Sequence, residues 1–118
     1  MLVEDDAAVR AITRRGLEAQ GYSVLVAGDP HQAKELFATH VDEIDLLLTD
    51  VVMPQMDGQS LYRLLSGETR SLRVLYMSGY PQTAFAHHEE LGPGAPFISK
   101  PFTPAELARK VREVLDSS

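Results

Sequence analysis

The sequence predicts an α/β domain: a doubly wound parallel sheet of five strands in the order 2-1-3-4-5, sandwiched between helices as three α/β/α layers. Three observations carry this. Short apolar runs alternate with amphipathic stretches five times along 118 residues, the pattern of repeated βα units. The run Leu46-Leu47-Leu48 has no polar alternation, so both its faces are buried, as in a central parallel strand. Right-handed crossovers then leave few topologies, and 2-1-3-4-5 is a common doubly wound order.

Each element has its own signal. Met1-Leu2-Val3 is the stub of a first strand ending in Glu4-Asp5-Asp6. From Ala7 to Gln20, Val9, Ile12, Gly16 and Leu17 share a face at helical spacing while Arg10, Arg14, Arg15 and Glu18 point away. Asp6 is the N-cap and Gly21 the C′ terminator. Tyr22–Ala27 is the second strand. Gly28-Asp29-Pro30 opens a helix carrying Ala33, Leu36 and Phe37, with Pro in its first turn. Ile44–Thr49 is the third strand and delivers Asp50 at its carboxyl end. Asp57 caps a helix over Gly58–Ser66 with Leu61, Leu64 and Leu65 inward; Asp57-Gly58-Gln59 reads as no more than a cap and helix start. Arg73–Met77 is the fourth strand, ending at Ser78-Gly79. Pro81–Glu90 is a weaker helical segment, followed by the loop Gly92-Pro93-Gly94. Pro96–Ser99 is the fifth strand, ending at Lys100-Pro101-Phe102. Thr103-Pro104-Ala105-Glu106 is a capping box with Pro at the first helical position, and the last helix buries Leu107, Val111, Val114 and Leu115.

Composition narrows the function. The length suits one domain spanning residues 1–118. A net charge of −6 provides no basic excess for phosphate backbones, so direct nucleic-acid binding is not expected. The absence of cysteine removes disulfides, thiolate metal sites and a Cys nucleophile. No apolar run approaches the roughly 20 residues of a spanning helix, and no signal-peptide pattern precedes Glu4. A cytoplasmic module without membrane contact of its own is expected, although a parent protein can be membrane-anchored.

The predicted order makes strands one and three neighbours. Glu4 and Asp5 therefore meet Asp50 at the carboxyl edge of the sheet, where open α/β sheets bind ligands. Ser78 and Lys100 end the next two strands. Like charges about 4 Å apart repel by about 4 kcal/mol at an effective dielectric of about 20, so three acids need either a raised pKa or a cation. Oxygen ligands without His or Cys suit Mg²⁺, with Mn²⁺ able to substitute. Asp5 and Asp50 would coordinate directly, Glu4 through a water or from behind, and the loop after Asp50 could add a backbone carbonyl, most simply that of Val52. A carboxylate on Mg²⁺ that faces a lysine and a hydroxyl is arranged for phosphoryl transfer. Asp50 is then the nucleophile, Lys100 neutralises phosphoryl oxygens and Ser78 donates to one of them. The competing interpretation is a purely structural Asp–Lys pair.

These pieces resemble the receiver domains of bacterial two-component response regulators over nearly the whole chain. The matching residues are Glu4-Asp5, Asp50 with Met53-Pro54 and Asp57-Gly58, Ser78-Gly79, and Lys100-Pro101-Phe102. The resemblance implies the flavodoxin-like (βα)5 fold. It also implies that Asp50 accepts phosphate from a phosphohistidine of a histidine kinase or histidine phosphotransfer domain. Ser78 takes the place of the switch Ser or Thr, followed by Gly79; Phe97 takes that of the switch aromatic and Lys100 that of the family's lysine. A cis Lys100–Pro101 bond is also implied. Phosphorylation would remodel the fourth helix–fifth strand–fifth helix face toward a downstream protein or the parent's own kinase module. The domain alone would be a phosphoacceptor with self-catalysed transfer and loss, not an enzyme, although the parent may be a histidine kinase.

The run Val74–Tyr80 is most similar to receivers fused to hybrid sensor histidine kinases; a stand-alone response regulator is the alternative. Some features depart from the family. Phe97 lacks a hydroxyl, and a first strand about two residues shorter than usual implies a chain trimmed at its start. An aspartyl-phosphate phosphatase would want an acid where Val52 stands, and a degenerate receiver would lack Asp50 or Lys100. Val52 and Tyr80 would shield the phosphoryl group. Arg10, Arg14 and Arg15 would either dock the phosphodonor or form a solvated face. His87-His88 reads as a surface pair, because adjacent helical residues diverge by about 100°.

Overall fold

The computed structural model describes residues 1–53, 55–67, 72–78 and 96–116, with Ser78 described in its backbone only. Five parallel strands lie in the order β2-β1-β3-β4-β5, which bears out the expected topology. They are β1 (Leu2–Val3), β2 (Val26–Ala27), β3 (Leu46–Asp50), β4 (Arg73–Ser78) and β5 (Phe97–Ser99). Helices α1 (Ala7–Ala19), α2 (Pro30–His40) and α3 (Gly58–Ser66) follow the first three strands, and a C-terminal helix, Pro104–Asp116, follows the fifth. The segment Pro81–Glu90, the loop at Gly92-Pro93-Gly94 and the pair His87-His88 lie outside the described residues.

Successive strand side chains feed opposite faces, giving two core clusters. Val3, Leu47, Val74 and Tyr76 meet Ala33 and Phe37 of α2 and Leu61 and Leu65 of α3. Leu2, Leu46, Leu48, Leu75 and Met77 meet Leu17 of α1 and Leu107, Val111 and Val114 of the C-terminal helix. All of β3 is buried, as a central strand with helices on both sides must be.

The helix ends follow the sequence signals. Asp6 accepts from the N–H groups of Ala8 and Val9, Asp29 from Gln32 and Asp57 from Ser60. Gly21 has φ 94, and the Gly21 and Tyr22 N–H groups bond back to Glu18 and Leu17. That is a Schellman motif, which needs a residue tolerant of left-handed backbone. Thr103 Oγ1 accepts from the Glu106 N–H and donates to the Glu106 carboxylate, each at 3.1 Å.

Three details correct the sequence expectations. Ile12, expected on the inner face of α1, is 63% exposed, and Thr13 is buried instead. The cause is Arg10, expected to point away: its Nη1 donates to the Glu4 carbonyl at 2.7 Å. That tether turns the row Arg10, Thr13, Leu17 toward the sheet and carries Ile12 off the buried stripe. In α3, Leu64 is 47% exposed, because the inward row is Gly58, Leu61 and Leu65. The second strand, expected over Tyr22–Ala27, is regular only at Val26–Ala27, where β1 supplies a partner.

Candidate functional site

The strand ends converge as the topology requires. Glu4 follows β1 directly and is 2% exposed, while Asp50 closes β3 and is 6% exposed. Asp5, the next residue out from Glu4, is exposed. One carboxylate oxygen from each of Glu4, Asp5 and Asp50 lies within 4.8 Å of the others, a grouping able to hold a metal ion. Among the described residues no histidine or cysteine joins them, so the donor set suits a hard cation.

Lys100 reaches this cluster from the far edge of the sheet. It follows β5, two strands from β3, and its Nζ stands 2.6 Å from Asp50 Oδ1 and 3.0 Å from Glu4 Oε2. Strands are spaced by about 4.8 Å, so only a long, flexible side chain spans the gap. The Lys100–Pro101 bond that aims it is cis. Burial works against the Lys100 ammonium, but the bonds and charges of Asp50 and Glu4 outweigh it and hold the pKa above its ordinary value. Burial, followed by the hydrogen bond and charge of Asp50, pushes the Glu4 carboxyl up to about 7, against the opposing pull of Lys100.

Of the remaining expected residues, the described ones are Val52, Phe97 and the backbone of Ser78. The Ser78 backbone closes β4 and pairs with Ser99; Gly79 and Tyr80 lie outside the described residues. Val52, two residues beyond Asp50, is 62% exposed. Phe97 is half-buried against the core on the α2–α3 face.

Two supporting residues were not legible as such. Arg10 binds the Glu4 carbonyl and fixes the turn carrying two of the acids; a Cβ on Gly28 would come 3.0 Å from its Nη1. Gly58, expected only to begin a helix, packs so closely on β3 that a Cβ would lie 2.2 Å from the Asp50 carbonyl oxygen. Its N–H donates to the Val51 carbonyl at 2.8 Å, which locks the loop after Asp50. Gly58 had only its place after Asp57 as a sequence signal, and Arg10, between Val9 and Ala11, had none for this role.

The fold and site define a doubly wound α/β domain that carries an acidic cluster able to hold a metal ion, with a lysine beside it, at the carboxyl edge of its sheet. Comparison with known proteins names the family. A family model described as the response regulator receiver domain matches residues 1–112, and the chain belongs to that family, the receiver domains of two-component systems. It is 37% identical over 116 residues to the sensor kinase CckA of Brucella abortus, covering 98% of this chain and 12% of that protein. It is 35% identical to the response regulator MprA of Mycobacterium tuberculosis, covering 98% of this chain and 49% of that one. Among solved structures, the receiver domain of the hybrid histidine kinase CckA superposes with a TM-score of 0.81 at 35% identity, covering 98% of this chain and 96% of that one. The chain thus spans half or less of the curated relatives it matches.

Proposed function

We propose that this chain is a phosphoacceptor in a phosphorelay, with Asp50 as the accepting residue and a phosphohistidine of a histidine kinase or phosphotransfer domain as donor. The observation that carries this is the Lys100 ammonium held 2.6 Å from Asp50 beside three acids clustered within 4.8 Å. A structural ion pair alone gives no reason to crowd Glu4 and Asp5 onto the same spot, since every added acid must be desolvated or neutralised. Asp5 and Asp50 would ligate Mg²⁺ (or Mn²⁺), with Glu4 behind them and the Val52 carbonyl as a further ligand. The bound cation would offset negative charge on the acids and the phosphoryl oxygens.

The chain's own residues then divide the work. A carboxylate oxygen of Asp50 bonds to phosphorus as the donor's N–P bond breaks, and the electron pair leaves with the imidazole, which takes up a proton. Lys100 moves from pairing with the carboxylate to a phosphoryl oxygen, while Ser78 and the Gly79 backbone bind the remaining oxygens. As Ser78 is drawn to the phosphoryl group, Phe97 turns inward and remodels a face that includes β5 and the C-terminal helix for a downstream protein or the parent's kinase module. The chain acts as an acceptor whose phosphate is gained and lost at one site, rather than as an enzyme on a separate substrate. Similarity to CckA in sequence and structure supports an origin in a hybrid sensor kinase; flanking gene sequence separates this from a response regulator like MprA.

The test is incubation with Mg²⁺ and acetyl phosphate, read by intact mass and peptide mapping. Wild type should gain one phosphoryl group on Asp50, Asp50→Asn none, and Lys100→Ala should slow the gain by about a hundredfold, the scale of losing one charge-stabilising donor. Equal labelling of wild type and Asp50→Asn would overturn the proposal.

A further inference from the structure

The Glu4 carbonyl lies just past the end of a strand ladder. β2 stops at Ala27, whose carbonyl accepts the Glu4 N–H at 3.1 Å, and the chain then turns away into α2. The donor that meets the Glu4 carbonyl is a side chain, Arg10, through Nη1 at 2.7 Å. Arg10 stands in the first turn of α1, where its N–H bonds to the Asp6 carbonyl, and helical side chains lean back toward the N-terminus. We propose that Arg10 is a positioning residue of the acidic site, and that the turn from β2 into α2 tunes cation affinity by setting where its guanidinium sits, although that turn supplies none of the ligands. This role rests on the reading of Asp50 as a cation-assisted phosphoacceptor.

Gly28 is the seat. A Cβ there would come 3.0 Å from Arg10 Nη1 and 3.6 Å from its Cζ, so the guanidinium lies against bare backbone. Gly28 is not in the left-handed region, so clearance for Arg10, rather than backbone conformation, is what calls for glycine. The first turn of α2 holds this seat from the other side. Gln32 Oε1 accepts the Gly28 N–H at 2.8 Å, and the Gln32 N–H donates to Asp29 Oδ1 at 2.8 Å. Shifting that turn therefore shifts Gly28 and the guanidinium packed on it.

The bond matters because Glu4 is buried. A buried carbonyl that loses its donor must turn toward another donor or toward water, and this carbonyl belongs to the peptide joining Glu4 to Asp5. Rotating that peptide moves both carboxylates, whose oxygens group within 4.8 Å of each other and of Asp50. Partners standing behind metal ligands commonly carry about ten- to a hundredfold of affinity. The charge of Arg10 acts the other way, since a neighbouring cation repels Mg²⁺. Moving the guanidinium without deleting it separates the two effects.

The test is a double-mutant cycle read as the Mg²⁺ Kd in titration calorimetry. Gly28→Val keeps the Arg10 charge but pushes the guanidinium off the Glu4 carbonyl, and should weaken Mg²⁺ binding by about tenfold. Gly28→Ala, whose side chain needs less room, should show a smaller loss in the same direction. In an Arg10→Met background no guanidinium is left to displace, and Gly28→Val should change Kd by less than about twofold. In metal-free protein the carbonyl carbon resonance of Glu4 should shift in Gly28→Val as its hydrogen bond weakens. Wild-type Kd in both Gly28 variants, or the same loss from Gly28→Val in both backgrounds, would overturn the role of Arg10 even where wild type binds Mg²⁺ and is labelled on Asp50. A wild-type chain that binds no Mg²⁺ would remove the phosphoacceptor reading and this role together.

Discussion

Glu4 shows how one buried carboxyl sets the working range of the site. Its pKa of about 7 lies above the ordinary value, so the folded chain binds more protons than the unfolded chain between them. The resulting stability is complete below the ordinary carboxylate range and is lost as pH rises through 7. The Met1 amine, drawn down to about 6, acts in the opposite direction: its contribution is full above 8 and lost as pH falls through 6. Because the two oppose each other between pH 6 and 7, bulk stability is a poor readout of Glu4. Proton release on metal binding is a direct one. Mg²⁺ affinity should fall as pH drops from 8 to 6, with about half a proton released per ion at pH 7 and close to one near pH 6. Titration calorimetry in two buffers of unlike ionisation heat measures this, and Glu4→Gln should abolish the release.

Among the elements, α3 is fixed to β3 by a contact that leaves no room for a methyl group. A Cβ at Gly58 would sit 2.2 Å from the Asp50 carbonyl oxygen, and that neighbour is backbone, so relief requires moving the helix or the strand end. Gly58→Ala should cost at least the roughly 1–3 kcal/mol of an overpacked core, read as a lowered urea midpoint. Wild-type stability in this variant would show that helix and strand can separate freely. The same scale explains where patterning misled. Apolar spacing in α1 pointed to Ile12, but the rotation of that helix is set by a polar tether from Arg10 to the Glu4 carbonyl. In α3 the close approach at Gly58 selects the row Gly58, Leu61, Leu65 and leaves Leu64 outside. A hydrophobic stripe confines a helix to a range of rotations, and one specific contact chooses within it.

For the whole molecule, folding gathers like charges at one edge of the sheet, and a cation that binds only the folded state must stabilise it. Mg²⁺ at a hundredfold over its Kd should add about 2.7 kcal/mol, raising Tm by several degrees in a thermal scan. Asp5→Asn should remove most of that shift while leaving the metal-free Tm nearly unchanged, because Asp5 is exposed. A full shift in Asp5→Asn would place the cation elsewhere.

The linear chain was enough to specify the sheet order, the helix starts at Asp6, Asp29, Asp57 and Thr103, and the meeting of Glu4, Asp5, Asp50 and Lys100 at one edge. Those features follow from local rules: apolar period, capping chemistry, and the handedness that makes β1 and β3 neighbours. Three-dimensional packing alone decided that Lys100 bridges both Asp50 and Glu4, that Arg10 clamps the turn beneath the acids and that Gly58 must lack a side chain. Each depends on distances between residues far apart in sequence or on the rotation of one element against another. Periodicity records which residues avoid water, but not which neighbours they meet.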